Sequence, residues 1–339
     1  MRQPDFSNIL KILNREVPSR PTLFELFLND TLYRKLCGQQ ILSREDELQQ
    51  YRIVIHGFKN AGYDYASLNG SDFHFPKKPQ TKKKTVSLNE NSIIYDEESF
   101  EKYPWPDPDS FDYSRLEKLN DEMPEGMKII VYSFGGVLEN VVELVGYEKL
   151  CIMIYDNPDL VQRIFDHVGS RLARYYEICV QYPVVGAIIG NDDWGYNTQT
   201  MLSPEDMRKY VFPWHKKIVE AAHKAGKPAI LHSCGNLEKV MDDIIDDMKY
   251  DGKHSYEDKI IPVEEAYERW GHRIAIIGGI DVDFMCRSTP EAVRARCKAM
   301  LERTADRGAY ALGTGNSVPE YLPEENYFSM VETALSFNN

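Results

Sequence analysis

The chain has 339 residues, 42% of them hydrophobic and 27% charged, enough apolar material for one large core beneath an ordinary solvated surface. Its formal charge of −13 disfavours nucleic acid and anionic membranes as partners, and no apolar run approaches the roughly 20 residues of a membrane span. The start, Met1-Arg2-Gln3-Pro4-Asp5, lacks signal-peptide character, and the six cysteines show no framework spacing, so free thiols in a reducing, cytoplasmic setting are expected.

Short β-branched runs predict the strands, in chain order. Thr22–Leu26 and Tyr63–Leu68 come first. Residues 71–125 then break the rhythm with the lysine-rich stretch Lys77-Lys78-Pro79-Gln80-Thr81-Lys82-Lys83-Lys84, an alternating run through Ile93-Ile94-Tyr95, and the cluster Tyr103-Pro104-Trp105-Pro106-Asp107-Pro108. This reads as an inserted hairpin followed by a loop. Its lysines suit a solvated tip, with an anionic partner as the alternative. Met127–Tyr132 resumes the pattern, and Asn157-Pro158-Asp159 supplies a start signal for a helix over Leu160–Gln181. Val185–Asp192 follows, then Ser203-Pro204-Glu205-Asp206 opens a helix over Pro204–Ala225. Pro228–His232, Met248–Lys253, Ile274–Gly279 and Ala309–Gly313 complete the strands, with helices at Val263–Trp270 and, after Thr289-Pro290-Glu291, at Ala292–Arg303.

Strands alternating with helices in this way predict a single-domain α/β chain over residues 1–339, a (β/α)8 TIM barrel, because parallel strands need crossover connections. A doubly wound open sheet is the alternative, although no G-x-G-x-x-G follows the first strand.

Reactive side chains should collect where barrel strands run into loops, and here they do. Glu25 ends the first strand, Asn191-Asp192-Asp193-Trp194-Gly195-Tyr196-Asn197 the fourth, and His232-Ser233-Cys234-Gly235-Asn236 the fifth. Lys253-His254-Ser255-Tyr256-Glu257-Asp258 ends the sixth, Gly278-Gly279-Ile280-Asp281 the seventh, and Gly313-Thr314-Gly315-Asn316-Ser317 the eighth. His232 and Cys234, at i and i+2 on extended chain, point to one side, and imidazole plus thiolate suits Zn²⁺. A polar histidine beside an incidental cysteine is the plainer alternative. Of the adjacent acids Asp192 and Asp193, one at most should face the site, as a general acid/base or a cation holder. His254 and Glu257 fit a site role or a structural ion pair equally. Gly313-x-Gly315 fits an anion cradle or a tight turn. Cys286 and Cys297, in or beside helices, read as small buried hydrophobes.

Several segments resemble the superfamily of uroporphyrinogen decarboxylase and the zinc-dependent, corrinoid-linked methyltransferases. They are Asn191-Asp192-Asp193-Trp194-Gly195, Leu202-Ser203-Pro204-Glu205, Val211-Phe212-Pro213-Trp214, Gly226-Lys227-Pro228-x-x-Leu231-His232-Ser233-Cys234-Gly235-Asn236, Ile277-Gly278-Gly279-Ile280-Asp281, and Gly313-x-Gly315-x-Ser317-x-Pro319 with Glu325-Asn326. Two departures qualify the resemblance. Where the decarboxylases carry an arginine-rich Met-Arg-Gln-Ala-Gly-Arg segment for porphyrinogen carboxylates, this chain reads Phe24-Glu25-Leu26-Phe27-Leu28-Asn29-Asp30, whose acids would repel a polyanion. Where the methyltransferases place a further cysteine ligand after the last strand, this chain has Asn316, a poor zinc ligand.

The resemblance therefore implies a zinc-dependent methyltransferase, moving a methyl group between a small methyl donor or thiol acceptor and a corrinoid carried by a partner protein. Zn²⁺ would sit on His232 and Cys234, with Glu257 as third ligand and Glu25 or His254 as substitutes. Asp192, Asp193 and Tyr196 are the expected catalytic residues. Glu25, Trp194, Asn236, His254, Asp281 and Asn316 are the expected substrate contacts. A homodimer is left open. The alternatives are a metal-free decarboxylase of the uroporphyrinogen decarboxylase type and a non-catalytic barrel subunit that docks a corrinoid partner.

Overall fold

A computed structural model describes residues 2–77 and 92–337. Seven parallel strands form one sheet in sequential order: β1 (Tyr65–Asn69), β2 (Lys128–Tyr132), β3 (Val185–Asn191), β4 (Ala229–His232), β5 (Gly252–His254), β6 (Ala275–Ile277) and β7 (Tyr310–Ala311). Strand interiors such as Ile129, Ile188, Ile189, Ile230 and Ile276 are fully buried, as in sheets whose crossover helices cover the faces.

The predicted first strand, Thr22–Leu26, is the main departure. It joins β7 through one parallel bridge, Leu23 to Leu312, with Phe24 N–H donating to Leu312 O and Leu312 N–H to Thr22 O, both at 2.8 Å. On its other side, side chains stand where a ladder would be. The Tyr65 hydroxyl takes the Glu25 N–H at 2.7 Å and donates to Glu25 O, while Ser67 Oγ donates to Leu26 O. Hydroxyls inserted between the two backbones keep Thr22–Leu26 out of the ladder.

Two other strand boundaries move for local backbone reasons. β5 starts at Gly252 rather than Met248, because Lys249 takes a left-handed φ of 62°. β6 stops at Ile277, because Gly278 and Gly279 have φ of 71° and 105°.

The three helix start signals fold as the sequence implies. Asn157, Ser203 and Thr289 cap helices that open on Pro158, Pro204 and Pro290. The helix from Pro204 widens into a π turn over Met207–Val211 and continues as Phe212–Lys224. That turn stands just before Pro213, whose missing N–H breaks the i→i−4 ladder.

In the predicted insertion, Lys78–Lys84 and the hairpin built on them lie outside the described residues. Ile93 and Ile94 form no strand; both send their N–H to Leu144 O. The loop expected beyond them holds helices Glu97–Lys102 and Ser114–Asn120 and a 3-10 turn at Pro108–Ser110. Its rings pack as core: Trp105 lies 4.7 Å from both Tyr103 and His167, on helix Pro158–Cys179. Among the described residues, no helix is long and apolar enough to cross a membrane.

Candidate functional site

The C-terminal ends of β3, β4 and β5 stand side by side, and register brings Asn191, His232 and His254 to one level. After β3 the chain turns through a loop closed by a Gly195–Thr200 bridge. This loop lies directly on the one after β4. Asn236 N–H donates to Tyr196 O at 2.7 Å, and a Cβ on Gly235 (φ +91°) would come within 2.1 Å of Gly195 backbone. Only glycine allows that approach, and it sets Cys234 against Asp193, whose Oδ1 accepts the Cys234 N–H at 2.9 Å.

Among the described residues, Asp193, His232 and Cys234 bring candidate ligand atoms within 4.8 Å of one another. His232 Nε2 lies 3.9 Å from Asp193 Oδ1; its Nδ1 is already engaged, 2.7 Å from His254 Nδ1. Nitrogen, sulfur and carboxylate oxygen in one group suit zinc, and three protein ligands leave a fourth position open, as in catalytic sites. The sulfur also receives two donors, Ser255 Oγ at 3.5 Å and Asn316 Nδ2 at 3.3 Å. That environment is built for a thiolate, yet burial, with Asp193 adding to it, pushes the bare Cys234 thiol up to about 12. Burial also drives His232 down to about 4, so its imidazole is neutral at pH 7 and free to ligate.

A cleft of about 670 Å³ opens beside this group, lined by Phe27, Tyr256, Glu257, Asp281, Asp283, Asn316 and Tyr321 among others. Asn316, which donates to the Cys234 sulfur, is among its lining residues. Among the described residues its charged lining is Glu257, Asp281 and Asp283 against the cation Lys259, a poor match for a substrate with many carboxylates.

The structure gathers some of the sequence-predicted residues and disperses others. His232, Cys234 and Asp193 come together. Glu257, expected as third ligand, stands at the cleft with its carboxyl raised by burial and by Asp281, outside the three-residue group. Asn316 turns the nitrogen end of its amide to the sulfur, as a donor, and His254 holds the far side of His232. Glu25 is wholly buried against Thr314. Asp192 faces away: fully buried, it accepts the Leu138 and Glu139 N–H groups, each at 2.9 Å, and pairs with His215 Nε2 at 2.9 Å. Trp194 lies in the core, 5.1 Å from the Phe212 ring and 4.8 Å from His215. Tyr196 is 42% exposed, and its ring packs edge-on against Tyr147. Asn236 caps the next turn through Glu238 N–H at 3.1 Å, and Asp281 caps helix Val282–Arg287 through Phe284 N–H at 2.8 Å.

Three residues without an assigned role in the sequence reading shape the site. Ser255 donates to the sulfur, Thr314 anchors Glu25, and Lys253 is a fully buried ammonium that burial lowers to about 8. All three stand at strand ends, which was the available signal; their partners depend on folding.

The family model for uroporphyrinogen decarboxylase (URO-D) matches residues 78–337. Curated relatives include the uroporphyrinogen decarboxylases of Prochlorococcus marinus (strain MIT 9301), 28% identical over 53% of this chain and 49% of that one, and of Synechococcus sp. (strain CC9605), 26% identical over the same shares. The chain thus spans about half the length of the curated relatives it matches. Among solved structures, a methyltransferase from Methanosarcina mazei superposes with a TM-score of 0.72 over 98% of both chains at 16% identity, so the two share a fold. On the strength of the family match, this chain belongs to the uroporphyrinogen decarboxylase (URO-D) family.

Proposed function

We propose that this chain is a zinc-dependent methyltransferase that exchanges a methyl group between a small donor or thiol and a corrinoid held by a partner protein. The observation that carries this reading is the group Asp193, His232 and Cys234, next to a cleft whose lining includes Asn316, a donor to the Cys234 sulfur. The shared fold with the Methanosarcina mazei methyltransferase supports it. We also infer that Thr22–Leu26 is the eighth stave of a closed barrel, and that the free cysteines reflect a reducing cytoplasmic setting.

Bound there, Zn²⁺ would act as a Lewis acid and lower the pKa of a coordinated thiol. The protein's own residues do the rest. Ser255 and Asn316 hold the Cys234 sulfur with two donors, and Asp193 fixes the Cys234 backbone. The cleft lined by Glu257, Asp281 and Asn316 would take the substrate. With a thiol acceptor, the partner's methyl-corrinoid would supply the methyl group: the sulfur–carbon bond would form as the cobalt–carbon bond breaks, the electron pair would stay on the corrinoid, and the thiol proton would pass to solvent.

Decarboxylation is the second reading, favoured by the activity named for the curated relatives. Against it stand the acids of the cleft lining, Glu257, Asp281 and Asp283, where a porphyrinogen's carboxylates need cations. An anaerobic assay with methylcobalamin and a panel of small thiols discriminates the two. Enzyme-dependent loss of the methyl–cobalt absorbance, with the methylated thiol as product, is expected. Carboxylate loss from uroporphyrinogen without demethylation of cobalt would favour the decarboxylase.

Zinc uptake should also release protons. His232 enters neutral, so the Cys234 thiol is the proton source. Calorimetry in buffers of different ionisation enthalpy should give about one proton per zinc, with affinity rising roughly tenfold per pH unit from 6 to 8. Affinity independent of pH would exclude Cys234 as a ligand.

A further inference from the structure

We propose that His254 is a positioning residue: with the Thr314 carbonyl it fixes the proton of His232 on Nδ1, so that Nε2 meets Asp193 and Cys234 without a proton. This rests on the metal-site reading of Asp193, His232 and Cys234. The two histidines are register partners on β4 and β5, with ring centroids 4.9 Å apart and planes tilted by 34°. Their Nδ1 atoms lie 2.7 Å apart, a separation at which one nitrogen donates and the other accepts.

The direction is set from the other side of His254. Its Nε2 lies 3.3 Å from Thr314 O, and a carbonyl only accepts, so that nitrogen carries a proton. Neutral His254 then has a bare Nδ1, and the shared proton belongs to His232. His254 is fully buried and His232 nearly so, and among the described residues no acid is hydrogen-bonded to His254, so burial disfavours a charged ring there.

The arrangement is built into the backbone. Thr314 N–H donates to Glu25 Oε1 at 2.7 Å and its carbonyl accepts the Gly279 N–H at 2.9 Å, which holds the peptides on both sides of Thr314. Gly278 (φ +71°) leaves room for the contact: a Cβ there would stand 2.4 Å from Thr314 O and 2.8 Å from His254 Cδ2. Without this partner a neutral imidazole prefers its proton on Nε2, the atom the metal needs. The hydrogen bond on one ring nitrogen selects the state of the other.

The test begins with the metal-free full-length protein labelled with ¹⁵N-histidine. Long-range proton–nitrogen spectra should show His232 protonated on Nδ1 and His254 on Nε2. A proton on His232 Nε2, or a charged ring at pH 7, would overturn the proposal. Zinc affinity by chelator competition gives the second arm. His254→Phe should weaken zinc binding about 10–100-fold and move the His232 proton to Nε2. His254→Gln, with an oxygen for Nδ1–H and an amide N–H for Thr314 O, should recover most of the loss. Equal loss in both variants, at matched thermal stability, would reduce His254 to packing and overturn it. A wild type with the stated tautomers but no zinc affinity would instead sink the metal-site reading.

Discussion

Replacing Asp192 by alanine is expected to destabilise the fold by about 3–5 kcal/mol, with zinc binding retained in whatever remains folded. The carboxylate is fully buried and holds three groups at once: two N–H groups at the start of helix Val137–Val145, and His215, whose Nδ1 lies 2.7 Å from Tyr250 OH. Alanine strands all three away from water, and an unmet buried donor costs far more than the net worth of its hydrogen bond. The protein has little room to relax, because a Cβ on Gly136 would already touch Asp192 Cβ at 2.2 Å. Urea denaturation measures the loss. A variant of normal stability but without methyl transfer would contradict this and restore Asp192 to the catalytic role its sequence position suggested.

The second large effect is a pH dependence removed by Glu25→Gln. Thr314 Oγ1 lies 2.5 Å from Glu25 Oε2 and 2.6 Å from Asn316 O. One hydroxyl proton cannot serve two acceptors, so the Glu25 carboxyl supplies the second. Burial pushes that carboxyl up to about 8. The unfolded chain loses the same proton near pH 4.3. Between those values only the native state holds it, so stability falls as pH rises and levels off above about 8. The slope is at most about 1.4 kcal/mol per pH unit, roughly 5 kcal/mol in all as an upper limit. Glutamine copies the protonated carboxyl, with an N–H for Thr314 Oγ1 and an oxygen for Thr314 N–H. Glu25→Gln should therefore be as stable as wild type near pH 4.5 and several kcal/mol more stable at pH 8. Parallel stability curves for the two proteins would show that Glu25 is ionised in the native state.

The fold was largely legible because its signals are local. β-Branched runs mark the strands, and the Asn157, Ser203 and Thr289 caps before proline mark helix starts. The parts that were not legible depend on contacts made across the fold. Nothing local says that Tyr65 and Ser67 hydroxyls would stand between β1 and Thr22–Leu26, or that the aromatic cluster near Trp105 would find His167. In the site, strand spacing put His232 and Cys234 on one side. The third member turned on which of two neighbouring acids the chain presents as it leaves β3 at Asn191. Asp193 comes from that turn, held by the Cys234 N–H, and Trp194 goes into the core for the same reason. Glu257 was the sequence's candidate because its distance from Cys234 was invisible. Asn316 could be read as a missing cysteine, but not as a donor aimed at the sulfur.

Metal content tests the central claim most directly. Untagged protein supplied with zinc and then desalted should carry about one zinc per chain by plasma mass spectrometry, as three protein ligands with one open position require. His232→Ala, Cys234→Ser and Asp193→Ala should lose it while remaining folded, and Glu257→Gln should keep it. A folded wild type that holds no zinc, or zinc that persists through all three ligand substitutions, would contradict the account.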